Sequence, residues 1–314
     1  MIGEYKFSLE IKPCSPGEQP DWVDLAAPDE LEIQEIQTRY CLPAWLLQDP
    51  LDPGERPRIS QENGVILMVV RICPLNSGKN SEKDEPDFNT VAVGIIMTGE
   101  VIITVCRREG LVAEYIRDRF ARRRDWTCIR LALSILQAAG DGFIVNLELM
   151  RNISGEAEAR MRRVPRNEEI LVLLDLEKAL IDITTALKSN YSLMDKLRQP
   201  NVLDLTLNKD DFAILEDAMT ESQQAVFMAE IFNQVLSSMS DAFGSIISNN
   251  LNKIMKFMAS VTIVLTIPAI IGALFGMNVE LPGTSSSHSF WALAAACAAL
   301  MLVVSFWFAK KKWF

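Results

Sequence analysis

The chain has 314 residues, six cysteines, a single histidine and a formal net charge of −10, with a sequence pI near 4.8. That length holds one sizeable soluble domain plus a membrane module, and the acidic balance argues against nucleic acid as a partner while suiting the collection of cations. One histidine, His288, excludes His-rich zinc sites and argues against His-dependent catalysis; no Gly-Lys-Ser/Thr phosphate loop, G-x-S-x-G or H-E-x-x-H is present, so no catalytic constellation and no catalytic cofactor are expected.

The first residues, MIGEYKFSLEIKP, lack the apolar stretch of a signal peptide, so the soluble part is expected on the cytoplasmic side. Glu4 to Lys12 alternates and reads as a strand, and Trp22 to Leu25 reads as a second. Pro28 with Asp29 opens a helix to Tyr40, with Leu31, Ile33, Ile36 and Tyr40 as its apolar side. Pro43 to Gln48 is a short helix, and LDPGERPRIS is a turn-rich loop. Val65 to Ile72, Val91 to Met97 and Val101 to Cys106 are β-branched strand runs, the last two a hairpin. Between the first two of these lies the polar stretch Asn76 to Asn89, with Glu82, Asp84, Glu85 and Asp87.

After Gly110 the pattern turns helical: Leu111 to Arg123, Trp126 to Arg163, and Glu168 to Arg198 with Leu171, Leu174, Leu176, Leu180, Ile181, Ile183 and Leu187 as its apolar side. The run Arg119, Arg122, Arg123 and Arg124 reads as a solvated helix face. From Asp210 no proline intervenes until Pro268; Phe212, Leu215, Met219, Val226, Ala229, Phe232, Leu236, Met239, Phe243 and Ile247 recur as in a coiled-coil seam. One rod from Asp210 to Met277 would be about 100 Å long, with Gly244 as a point where it could bend. The scattered cysteines, without C-x-x-C, read as reduced and mostly buried thiols.

Phe257 to Met277 is 21 residues without a charge, and Phe290 to Ala309 is 20 more. A bilayer core needs about 20 apolar residues as helix, so the C-terminus is a two-span hairpin. Lys253 and Lys256 precede it, Lys310, Lys311 and Lys312 follow it, and the connection Val279 to Ser289 carries Glu280 but no Lys or Arg. The positive-inside rule then puts both termini in the cytoplasm and the tip outside, with Trp291, Trp307 and Trp313 as interfacial anchors. The expected division is a cytoplasmic domain 1–209, a stalk 210–256, a first span 257–278, an outer loop 279–289, a second span 290–309 and a basic tail 310–314.

One hairpin cannot enclose a pore, so two spans per chain either oligomerise or only anchor. Asn252, Met255, Ala259, Thr262, Thr266, Ala269 and Ala273 form a small, weakly polar stripe along the first span. It suits a pore lining, and equally a helix-packing face of the small-residue type. Pro268 leaves the Val264 carbonyl without its helical donor, which a cavity or a neighbouring helix tolerates.

Gly276-Met277-Asn278 at the outer end of the first span, followed by a short loop, a second span and a Lys-rich tail, resembles the CorA-type magnesium transporter family. WVDLAAP at 22–28, LQDPLDPGERPRIS at 47–60 and the 252–278 segment extend the resemblance over essentially the whole chain. It implies a homopentameric funnel. Each chain would contribute an α/β cytoplasmic domain with a mixed sheet flanked by helices, a long stalk helix, a pore-lining first span and an outer second span. It also implies a selectivity ring at Gly276, Met277 and Asn278, where amide oxygens meet the water shell of Mg2+ without stripping it. A regulatory divalent site between subunits is implied too, with Asp217 on the stalk facing Asp84, Glu85 or Asp87 and with Mg2+ as both substrate and regulatory ligand. Asp241, 11 residues before Asn252, is a further candidate at the cytoplasmic mouth; the alternative for it and for Asp217 is an ordinary solvated acid. Many family members carry Met-Pro-Glu-Leu after the motif, whereas here Glu280 precedes Pro282. Thr266 and Ala269 are small for a gate, and Met255 and Met258 near the cytoplasmic end are candidates for a hydrophobic constriction.

The expectation is uptake of Mg2+, with Co2+ or Ni2+ as further cargo, through the cell membrane down the electrochemical gradient. The alternatives are a zinc transporter of the same superfamily, proton-coupled or not, and a membrane-anchored coiled-coil protein without transport.

Overall fold

A computed structural model describes residues 1–7, 11–15, 17–74, 86–120, 125–163, 167–199, 207–277, 289–311 and 313. The chain divides into two compact units, Met1–Ser237 and Ser238–Phe314.

The first unit holds a seven-stranded sheet formed by β1 (Ile2–Phe7), β2 (Ile11–Pro13), β3 (Trp22–Ala26), β4 (Arg58–Glu62), β5 (Val65–Ile72), β6 (Val91–Met97) and β7 (Ile102–Cys106). Its order is β2-β1-β3-β7-β6-β5-β4. Neighbours pair antiparallel except β3 and β7, which run parallel with Trp22 opposite Ile102 and Ala26 opposite Cys106. The expected strand at 4–12 is therefore two strands of one hairpin, and the turn-rich stretch after Leu51 ends in an unforeseen strand, β4. β4 is an edge strand whose RISQE sequence has a single apolar residue, so it lacks the alternation that announces a half-buried strand.

Strand side chains point alternately to two faces. On one face Ile66, Met68, Val70, Ile95 and Ile102 pack with Tyr115, Leu131, Leu136 and Leu215. These come from the helices α3 (Leu111–Phe120), α4 (Cys128–Arg163) and α6 (Lys209–Phe275). On the other face Val23, Leu25, Leu67, Val69, Ile96 and Ile103 pack with Ile33, Ile36, Leu46 and Leu47. Those belong to α1 (Glu30–Tyr40) and α2 (Ala44–Gln48). The mixed sheet is thus flanked by helices on both faces, as expected.

α1 starts at a capping box in which the Glu32 N–H donates to Asp29 Oδ1 at 2.8 Å and the Asp29 N–H donates to Glu32 Oε2 at 3.1 Å. Asp29 is therefore the cap and Pro28 lies outside the helix. Leu31, expected on the apolar side, is 74% exposed. α5 (Asn167–Arg198) differs in the same way: Leu171, Leu174 and Ile181 are exposed, while Leu173, Leu176, Leu180, Ile183 and Leu187 are buried. In a helix with leucines on several sides, composition alone does not choose the face. Of the six thiols Cys73 and Cys106 are buried, burial pushing them up to about 12 and about 11, whereas Cys41 is exposed; all are free. Arg122, Arg123 and Arg124, and the side chain of Arg119, lie outside the described residues.

Among the described residues three helices are long and apolar enough to cross a membrane, and burial separates them. The apolar window of α4 is 61% buried within the first unit; those of α6 and of α7 (Ser289–Lys310) are 6% and 11% buried. The apolar surface of α4 is spent on the core, next to Gly142. There a Cβ would collide with the Tyr115 ring, whose hydroxyl donates to the Cys73 carbonyl. α6 and α7 leave theirs outward, which suits lipid.

WVDLAAP owes its place to a buried network. Trp22 Nε1 donates to Thr104 Oγ1 at 2.9 Å, and Thr104 Oγ1 donates to Asp24 Oδ1 at 2.7 Å across the parallel pair. Burial pushes the Asp24 carboxyl from 3.8 up to about 6, against the lowering effect of the Thr104 hydrogen bond. A raised carboxyl favours folding below its unfolded value and loses that contribution as pH rises through the folded one. Asp24→Asn should therefore raise the unfolding midpoint at pH 8, by up to ~3 kcal/mol in stability. It should also flatten the pH 4–6 dependence of stability; thermal unfolding at pH 5 and pH 8 reads both.

Candidate functional site

The second half of α6 and α7 form the second unit. Exposure falls along Ser260, Val261, Val264, Ile267, Pro268 and Ile271 on α6, and along Leu293, Cys297, Met301, Val304 and Phe308 on α7. These are the least exposed faces of the two helices. Asn252, Met255, Ala259, Thr262, Thr266, Ala269 and Ala273 are all exposed. At 3.6 residues per turn their stripe lies about 160° from that less exposed face of α6. The small-residue stripe is therefore not the face of α6 that loses exposure. Among the described residues its members stay exposed, and bulky Ile263, Leu265, Ile270 and Leu274 flank it.

The stripe is weakly polar by construction. Thr262 Oγ1 donates to the Met258 carbonyl at 2.8 Å and Thr266 Oγ1 to the Thr262 carbonyl at 2.7 Å. Their donors are satisfied inside the helix, which leaves oxygen lone pairs outward as acceptors. Such a surface can take hydrogen bonds from water or from a cation's hydration shell. Met255 and Met258 are 68% and 58% exposed. α6 stays one helix through Gly244 and Pro268. Gly276 continues the ladder with its N–H on the Gly272 carbonyl at 2.9 Å, followed by Met277 on Leu274 at 3.4 Å. Gly276 is absent from the described glycines with positive φ, so a left-handed turn is not what requires glycine there. Asn278 and Glu280 lie outside the described residues. Lys310 ends α7 and Lys311 follows it, both exposed, with Lys311 Nζ 4.6 Å over the Trp307 ring; Lys312 lies outside the described residues.

Of the expected regulatory acids, Asp217 and Asp241 are exposed on α6, while Asp84 and Glu85 lie outside the described residues. Asp87 is already engaged: Oδ1 accepts from the Asn89 N–H and Nδ2 at 3.0 and 2.8 Å, and Oδ2 from Arg108 Nη1 at 3.4 Å. Among the described residues no three or more His, Cys, Asp or Glu side chains gather as a metal site.

Sequence reasoning missed the residues that fix where the connection carrying these acids leaves the sheet. Asn146 Nδ2 donates to the Pro74 carbonyl at 3.1 Å, and Asn190 on α5 accepts from the Arg71 N–H at 3.0 Å and donates to the Arg71 carbonyl at 2.7 Å. The available signal was a buried-side asparagine in each of two otherwise apolar helix faces.

A family model described as CorA-like Mg2+ transporter protein matches residues 17–311. The cobalt/magnesium transport protein CorA of Methanocaldococcus jannaschii is 23% identical over 301 residues, spanning 93% of this chain and 90% of that one. The complete structure of the CorA magnesium transporter from that organism superposes with a TM-score of 0.83 at 20% identity, covering 100% of this chain and 99% of the other. The ZntB cytoplasmic domain from Vibrio parahaemolyticus gives 0.61 at 12% identity, covering 79% and 99%.

Proposed function

As the chain belongs to the CorA-like Mg2+ transporter family, whose members are membrane transporters of divalent cations, we propose that five copies assemble around the α6 stripe into a channel for hydrated Mg2+. Co2+ and Ni2+ are further cargo. The observation that carries this reading is an exposed stripe of six small or weakly polar residues, with Met255 among them, along one face of α6. Residues 257–278 and 290–309 cross the cell membrane, with both termini and the Lys310–Lys311–Lys312 tail inside and Gly276-Met277-Asn278 at the outer mouth. The loop 279–289 presents Glu280 there.

An inside-negative potential contributes about 2.3 kcal/mol per charge per 100 mV, doubled for a divalent ion, so inward flow needs no ATP. Regulation uses intracellular Mg2+ bound between subunits by Asp217 and an acid of the β5–β6 connection (Asp84, Glu85 or Asp87), with Asp241 nearer the pore. Binding offsets carboxylate repulsion and holds the closed state; loss of Mg2+ loosens the interface and opens the pore. Asp217→Ala should shift protection from limited proteolysis to higher Mg2+ concentration, and an unchanged Mg2+ midpoint removes Asp217 from the site.

The fold shared with the ZntB domain favours a second reading, zinc transport. Purified protein in liposomes, tested with Mg2+, Co2+ and Zn2+ in turn, decides: Mg2+ flux is expected, Zn2+ flux alone supports the second reading, and no divalent flux sinks both.

A further inference from the structure

Two contiguous clefts lie between the approach to β4 and α5, of about 250 and about 430 Å3, sharing Pro57 and Ser189. The smaller is lined by Arg58, Lys188 and Lys196 and by no acid, in a chain of net charge −10. We infer that this cleft binds a small phosphate-class oxyanion, held by Lys188 and Lys196 and by the hydroxyls of Ser189 and Ser192.

The cations differ in how free they are. Arg58 is neutralised by Asp49 at 2.5 Å and Glu55 at 2.7 Å. Lys188 meets Glu230 at 2.7 Å, but both side chains are about half exposed, and such a pair is worth little and yields readily to a better-placed anion. Lys196 has no carboxylate partner among the described residues. Lys188, Ser192 and Lys196 are spaced by four along α5, so they share one helix face.

The hydroxyls point the same way. One turn earlier on α5, Thr184 and Thr185 satisfy their hydroxyls on the carbonyls of Leu180 and Ile181 at 2.7 and 2.8 Å. Ser189 and Ser192, among the described residues, make no such bond, and both line the cleft. They remain available as donors beside two ammonium groups, the combination that an oxyanion's several acceptor oxygens require.

The larger cleft fixes which end of the ligand goes where. It carries Arg56 and Arg71 but also Glu55 and Asp182, so it is charge-balanced. Arg71 moreover spends its guanidinium on neutral oxygens: the carbonyls of Pro53, Glu55 and Thr90 and the Thr90 hydroxyl. The anionic group therefore sits in the smaller cleft, and any uncharged remainder of the ligand extends into the larger one.

The test uses the full chain in a maltoside detergent, which carries no phosphate, in Mg2+-free chloride buffer. Sodium phosphate is titrated while the unfolding temperature is followed, with sodium chloride of equal ionic strength as reference. Saturable stabilisation by phosphate beyond that of chloride is expected. The Lys188→Gln/Lys196→Gln double variant should raise the half-saturating concentration at least about tenfold. Ser192→Ala, which leaves the charge untouched, should weaken binding by a smaller factor, and Lys178→Gln, on α5 but outside the cleft, should not change it. Phosphate acting no differently from chloride overturns the site. So does equal phosphate binding by wild type, the double variant and Ser192→Ala. Neither readout involves ion flux, so this result stands or falls apart from the transport reading.

Discussion

Asn278→Ala should reduce Mg2+ flux in liposomes by at least about 100-fold at sub-saturating Mg2+. In the proposed pentamer each Asn278 contributes one amide oxygen to the hydration shell of an arriving ion. A net hydrogen bond is worth about 1 kcal/mol, so removing five forfeits several kcal/mol at the outer mouth, and every 1.4 kcal/mol is tenfold. Asn278→Asp should behave differently: five carboxylates hold the ion more tightly, lowering the Mg2+ concentration for half-maximal flux but also lowering the maximal rate. Equal flux from wild type and Asn278→Ala, at equal reconstitution, removes Asn278 from the selectivity site.

Arg130→Ala should destabilise the first unit by about 3–5 kcal/mol, the usual result of leaving one partner of a buried ion pair alone. Arg130 Nε donates to Asp211 Oδ1 at 2.9 Å, with the two side chains only 11% and 6% exposed. Asp125 and Asp210 also pair with Arg130. Asp211 in turn binds Asn208: its N–H donates to Asn208 Oδ1 at 2.9 Å, and its Oδ2 accepts the Asn208 N–H at 3.2 Å. This knot ties the first turn of α6 to the first turn of α4. Adding Asp211→Asn to Arg130→Ala should recover part of the loss, since the stranded charge is gone. A double-mutant cycle by denaturant unfolding of the full chain measures the coupling, and additive losses would show that the pair is not coupled.

The sequence announced those elements whose burial pattern is strong. β5, β6 and β7 are dense in β-branched residues because both faces of the sheet are covered, and their expected ends match within one residue. The two spans are legible because lipid demands uninterrupted apolar length. β4 was not, because an edge strand facing solvent carries polar residues such as Arg58, Ser60 and Gln61. The exposed side of α5 was misjudged for a related reason: Leu171 and Ile181 satisfy the helical period as well as Leu173 and Ile183 do, and only tertiary contact separates them. At the candidate site the stripe was readable from residue size and spacing, yet which face of α6 loses exposure was not, since that depends on tertiary contact. Asn190 was invisible for a different reason. Its bonds reach Arg71, 119 positions away, and no local pattern encodes such a partner.

The single parallel pairing in the sheet has a kinetic consequence. β4 through β7 form a meander of neighbouring hairpins, each closable by a short or moderate loop. β3 pairs locally with β1 but joins this meander only through β7, and the Thr104–Asp24 bond that seals that seam links residues 80 apart. Because loop closure must precede the contact that rewards it, this step belongs late in folding. During synthesis the N-terminal ribbon β2-β1-β3 must therefore wait, with the β7 side of β3 open, until residues 102–106 have left the ribosome. The seam is thus the point at which a slow-folding intermediate of this chain, with a ready-made meander and an undocked N-terminal ribbon, would accumulate.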